Sequence, residues 1–224
     1  MNLKLALATI HRDRQWWRKI LVGGALMLTV VGYPWAAGLV MESLDNTRKG
    51  FPTPLPPWRE WSLRYLIGLF AVLIDFLFFV LPLLVIGLLL ICVGAALAIG
   101  STAQPGWLAP AALAALLVYP LAVFAASISP VGRLLYVEAG RIEDALSLRT
   151  VRAALAPRAR RVYLWARLQS LPAYLPALLL GAACYLAGWP LGIIPLWLAL
   201  SALLYAHLVV VQLYAAAESD VKFG

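Results

Sequence analysis

SLRYLIGLFAVLIDFLFFVLPLLVIGLLLICVGAALAIG, residues 62–100, holds only two charged side chains, Arg64 and Asp75, in nearly forty positions. As one straight helix it would run about 58 Å at 1.5 Å per residue, nearly twice the ~30 Å hydrocarbon core of a bilayer. It must therefore break, and Pro82 in FFVLPLL is the natural place, dividing it into spans of about 62–80 and 82–100. Similar apolar runs occupy about 20–41, 107–128, 168–188 and 190–216. Hydrophobic residues make up 63% of the 224-residue chain and charged residues 12%, against roughly 45–50% and 25% in soluble domains. The expected fold is all-α: one polytopic integral membrane helix bundle over 1–224, of about six spans, with interfacial amphipathic helices.

Residues 1–19 read as an interfacial N-terminal helix. It begins apolar and ends in Arg12, Arg14, Trp16, Trp17, Arg18 and Lys19, a mixture suited to the headgroup level. With the following ILVGGALMLTVVG it imitates a signal peptide, but it is read as a retained anchor. Tyr33-Pro34-Trp35 toward the far end of the first span is a place for a kink. Residues 129–167 differ from the rest, with eight arginines and three acids, and read as a basic surface linker of two or three short helices broken near Gly140 and Pro157. Within it Arg158, Arg160 and Arg161 are the expected contacts to anionic headgroups. Gly188-Trp189-Pro190 reads as a tight turn between the last two spans.

The net charge of +8 would raise nucleic acid as a partner in a soluble protein, but no nucleic-acid-binding motif is present. In a membrane protein it bears on topology instead. Six spans with an inner N-terminus place fourteen basic residues on the cytoplasmic side and four (Arg48, Lys49, Arg59 and Arg64) on the other, the bias of the positive-inside rule. Both termini are then cytoplasmic.

Within the spans the clearly ionisable side chains are Asp75 and His207. An acid at that depth costs about 2.5–3.5 kcal/mol on insertion scales and is a functional hypothesis by default. Six spans put the two residues within roughly 5 Å of each other in depth, so they form a candidate intramembrane polar pair. A hydrogen bond from a neighbouring helix is the plainer role for Asp75. His207 is the candidate for holding a pigment or metal, though a lone histidine more often bridges helices. Cys92 and Cys184 read as small apolar residues in helices. No phosphate loop, HExxH, CxxC or G-x-S-x-G motif occurs, so no enzyme activity, no catalytic residue, no metal site and no cofactor is expected. Glu143-Asp144 faces two ways on a helix and suits a helix N-terminus better than acid–base work.

GFPTPLPPWREW, residues 50–61, could offer a polyproline ligand. Its place beside a span favours a stiff loop and anchor: Pro57 in the first turn of a helix, Trp58 and Trp61 sharing a face at the headgroup level. Together with Trp16 and Trp17 these are the expected interfacial anchors.

The order of G-x-P-x-x-L-P-P-W-x-x-W, the arginine-rich GRIEDALSLRTVRAAL and the closing AHLVVVQLYAAA resembles a family of prokaryotic multi-pass membrane proteins catalogued as domain of unknown function 4013. The resemblance implies a helical integral membrane fold in a prokaryotic cytoplasmic (inner) membrane and assigns no activity. Leu146 stands where the family pattern would have an aromatic. The expected role is a non-enzymatic accessory or scaffolding subunit, packed against lipids with anionic headgroups and other integral membrane subunits in a respiratory, photosynthetic or secretory complex. The alternative is a small transporter or lipid-handling protein using Asp75 and the proline-broken spans.

Overall fold

The computed structural model describes residues 2–100, 127–188 and 191–223, and among them every regular element is a helix. In chain order these are α1 (Leu3–His11), α2 (Trp16–Met27), α3 (Tyr33–Arg48), α4 (Trp61–Asp75) and α5 (Leu81–Gly100). After them come α6 (127–139), α7 (Ile142–Leu146), α8 (Leu148–Leu155), α9 (Ala159–Ser170), α10 (Leu175–Ala187) and α11 (Ile193–Phe223). Three runs among the described residues are long and apolar enough to cross a membrane: Trp61–Cys92, Ala159–Leu186 and Ile193–Lys222. The expected span 107–128 lies outside the described residues except for its last two, as does Trp189-Pro190.

The chain does not turn at Pro82. Helix continues from Trp61 to Gly100 through one π-helical turn, Phe76–Val80, where the Leu81 N–H reaches back five residues to the Phe76 carbonyl. A proline ring collides with the carbonyl four residues before it, here that of Phe78. The extra residue of a π-turn displaces that carbonyl, so the helix absorbs Pro82 without ending.

The expected first span, 20–41, is likewise not a single helix. The Thr29 hydroxyl donates to the Leu26 carbonyl at 3.0 Å and accepts from the Gly32 N–H at 3.0 Å. It thereby satisfies backbone groups that another helical turn would have used. A 3₁₀ turn, Val30–Gly32, follows, and Pro34 in the first turn of α3 restarts the helix;. Trp16 lies against Tyr205, and the Trp197 indole donates to the Leu21 carbonyl. On α3, Thr47 bonds Gln212 and Arg48 bonds Glu218. Helix α2 therefore runs toward the start of α11 and α3 runs back toward its end, a hairpin seated on α11.

Close approach makes this seat. A Cβ on Gly24 would stand 1.9 Å from the Ser201 hydroxyl, and one on Gly68 1.7 Å from the Pro34 carbonyl, so α2 meets α11 and α3 meets α4 backbone to backbone;. The second half of α11 fills the centre, with Leu208, Val209, Leu213 and Tyr214 fully buried. The N-terminal segment also divides: α1 ends at His11, Asp13 caps the turn through the Gln15 N–H, and Trp16 and Trp17 open α2.

The linker 129–167 is not all surface. The first half of α6 is interior, with Ser129, Val131, Arg133 and Leu134 buried. Surface character begins at Glu138, just before Gly140, whose left-handed backbone (φ 67°) closes α6;. Helices α7 and α8 follow, then a turn at Pro157 and α9. Cys184 is partly buried, whereas Cys92 is exposed rather than packed.

Candidate functional site

Asp75 is the last residue of α4, immediately before the π-turn. Facing it are Ser129 and Arg133, four residues apart and so on one side of α6. The Arg133 Nε donates to Asp75 Oδ1 at 3.1 Å, its Nη2 to Oδ2, and the Ser129 hydroxyl also donates to Oδ1. This two-pronged guanidinium–carboxylate contact is the geometry that best offsets the loss of water around both charges. Arg133 is only 5% exposed. Three helical turns of α6 thus carry a charge inward that the sequence suggested lay on the surface.

From the opposite side come Arg167 near the end of α9, Tyr174 in the 3₁₀ turn Leu171–Tyr174, and His207 on α11. The Arg167 Nη1 donates to the Tyr174 hydroxyl at 3.2 Å, and its guanidinium lies 5.3 Å from that ring's centre. Tyr174 meets His207 edge to face at 5.9 Å. Between the two sides is a cavity of about 70 Å³ lined by Asp75, Phe79, Ser129, Arg133, Arg167, Tyr174 and His207. Asp75 and His207 do share a site, but the hydrogen-bond partners of Asp75 are Arg133 and Ser129. Two guanidiniums beside His207 make the site hostile to a metal cation. Among the described residues no group of three His, Cys, Asp or Glu side chains could hold one.

Two further charge clusters occupy the same bundle. Arg64, 2% exposed, donates to both oxygens of Glu42 at 2.9 and 2.6 Å and to the Pro57 carbonyl at 2.7 Å, and its guanidinium lies 5.1 Å from the centre of the Trp58 ring. The second links Arg48 to Glu218, with Lys222 joining Glu218 and Glu138. The Lys222 ammonium, donating at 2.9 Å, holds the Glu138 carboxyl below the usual carboxylate range. That cluster overturns one part of the charge-based topology. Arg48 sits beside the C-terminal end of α11, not across the membrane from it, because the α2–α3 hairpin returns the chain to the side it left.

The expected anchors divide. Trp17 is 46% exposed and Trp61 44%, whereas Trp16 packs on His11 and Tyr205. Trp58 turns inward, its indole donating to the Lys19 carbonyl and its ring reaching Gly23 and Arg64. Pro57 precedes the helix instead of opening it, since α4 starts at Trp61 after Glu60 in left-handed conformation (φ 53°). Arg64 captures the Pro57 carbonyl, which holds the loop over the helix end. Arg158, Arg160 and Arg161 are exposed, and Arg158 and Arg161 lie beside Asp220 near the end of α11.

These features define a protein of membrane type, helical in its described elements, with three helices long and apolar enough to cross a bilayer and ion pairs that tie them to neighbouring helices. The chain belongs to the family described as Protein of unknown function (DUF4013), whose model matches residues 21–186. The match takes in Asp75, Ser129, Arg133, Arg167 and Tyr174, while His207 lies beyond it. Neither a curated protein nor a solved structure matches the chain.

Proposed function

We propose that the chain is a non-enzymatic accessory or scaffolding subunit that packs against other integral membrane proteins and lipids in a larger respiratory, photosynthetic or secretory complex. The observation that carries this reading is the outer face of α10. That helix lies on α11 and leaves Leu178, Leu179 and Leu186 67%, 71% and 82% exposed. Between them Gly181, where an added Cβ would meet nothing within 4 Å, leaves room for another helix to approach closely;. Helix α10 carries no charged side chain, so this surface is fitted to an apolar neighbour. Cross-linking from Ala182→Cys in native membranes tests it. A discrete heteromeric product that Gly181→Leu abolishes supports the subunit reading. Mild-detergent purification of a lone, monodisperse chain with Gly181→Leu neutral in cells contradicts it.

A second reading, a small transporter or lipid-handling protein, draws on the Asp75 cavity, since paired charges inside a membrane mark ion and substrate paths. Solute uptake or lipid exchange by reconstituted protein that Asp75→Asn abolishes would favour it; full activity in Asp75→Asn would remove its main support.

A further inference from the structure

We infer that the cavity between α4, α6, α9 and α11 is a binding site for one small monovalent anion, of halide to formate size. This goes beyond the subunit reading and does not depend on it. The argument is one of charge. The charged groups that line the cavity with His207 are Arg133, Asp75 and Arg167. Two guanidiniums and one carboxylate leave a single positive charge in excess. Asp75 is matched by the Nε and Nη2 of Arg133 and the Ser129 hydroxyl. Among the described residues Arg167, by contrast, has a neutral phenol as its hydrogen-bond acceptor and lies over its ring. No carboxylate lies within ion-pair distance of it among the described residues, and residues 101–126 contain no acid that could supply one.

An unmatched charge inside a membrane bundle is costly, and the least costly remedy is a counter-ion held by the same donors. The cavity, about 70 Å³, has room for a few water molecules or one compact anion. Guanidinium is also the donor best shaped for an oxyanion, and a neutral imidazole adds a further N–H. Asp75 then acts as the resident anion beside which the exchangeable one sits. Removing its charge leaves both guanidiniums to the guest.

The test uses the full chain in nanodiscs of phosphatidylcholine, with chloride as the probe and the much larger gluconate keeping ionic strength constant. Chloride-35 NMR line broadening should saturate at one site per chain and be displaced by formate. Arg167→Gln should weaken it about tenfold or more, Asp75→Asn should strengthen it, and Arg160→Gln, on the exposed face of α9, should leave it unchanged. No saturable broadening in the unaltered protein overturns the proposal without reference to any variant. Saturable broadening that Arg167→Gln leaves intact in a folded protein, judged by its melting curve, overturns the site. Should Arg167→Gln fail to fold, Arg167→Lys replaces it, with weakened formate competition expected and unchanged competition contradicting the site. Loss of chloride binding in nanodiscs containing phosphatidylglycerol, with that lipid retained through purification, would assign the donors to a lipid phosphate instead and likewise overturn the small-anion proposal.

Discussion

Arg64 and Arg133 are both almost wholly buried, and both grip a carboxylate with two nitrogens. Their surroundings differ. Around Arg64 the packing closes, with Glu42 in front, the Pro57 carbonyl beside it, the Trp58 ring against its face, and α3 drawn tight on α4 at Gly38 and Gly68, while its Nη1 is buried with no hydrogen-bond partner among the described residues. Around Arg133 the carboxylate is Asp75, and beyond it a cavity opens onto a second guanidinium and an imidazole. A balanced pair sealed by its neighbours is a clasp, holding a loop and two helices together. An unbalanced group of charges beside a cavity is a site, because a further charge fits it.

The largest effect should come from breaking the clasp. Glu42→Ala leaves the Arg64 guanidinium buried without a counter-charge, a loss of about 3–5 kcal/mol, seen as a much lower melting temperature or failure to accumulate. Replacing Asp75 breaks the contrast differently. Asp75→Asn should cost less, about 1–3 kcal/mol, because Ser129 and a guest anion still serve Arg133. Its melting temperature should also rise with chloride more steeply than that of the unaltered protein, whereas no salt should rescue Glu42→Ala. Equal chloride responses in the two variants would erase the distinction between clasp and site.

How far this distinction was legible in the sequence depends on periodicity and on burial. The helical membrane class followed from apolar run lengths, and Asp75 and His207 stood out as polar residues in apolar spans. Arg133 did not, because it begins an arginine-rich stretch and shares its composition. Its one local signal was SISPVGRLL, an apolar stretch in which Ser129 and Arg133 share a face four residues apart. Arg64 sat in the opening stretch yet read as a flanking charge, since Glu42 lies in another helix and only tertiary contact joins them. Pro82 misled because proline breaks helices in general, while the compensating π-turn rests on backbone adjustment that no residue type announces. The fold of 20–41 turned on Thr29, a single hydroxyl in an otherwise apolar run.

Smaller effects sharpen the picture at its edges. Gly68→Ala forces a methyl group onto the Pro34 carbonyl, an overpacking cost of about 1–3 kcal/mol. It should loosen the Arg64 clasp, read as faster hydrogen exchange across 50–60, while leaving chloride response unchanged. Smallest is the exposed end of the bundle. Because Lys222 holds the Glu138 carboxyl below its ordinary range, Glu138 stabilises the fold above that range and ceases to do so as the pH falls through its lowered value. Glu138→Gln should therefore lower stability at neutral pH by less than about 1 kcal/mol, and the difference from the unaltered protein should vanish in acid. A difference that grows in acid would contradict the Lys222 contact.

Asp75 as the partner of Arg133, rather than of His207, is the claim on which the site rests. Double-mutant cycles on thermal or denaturant unfolding in nanodiscs measure it directly. Asp75→Asn combined with Arg133→Gln should show a coupling of about 2 kcal/mol or more, and Asp75→Asn combined with His207→Ala should be additive within about 0.5 kcal/mol. Strong coupling to His207 together with additivity toward Arg133 would contradict the account.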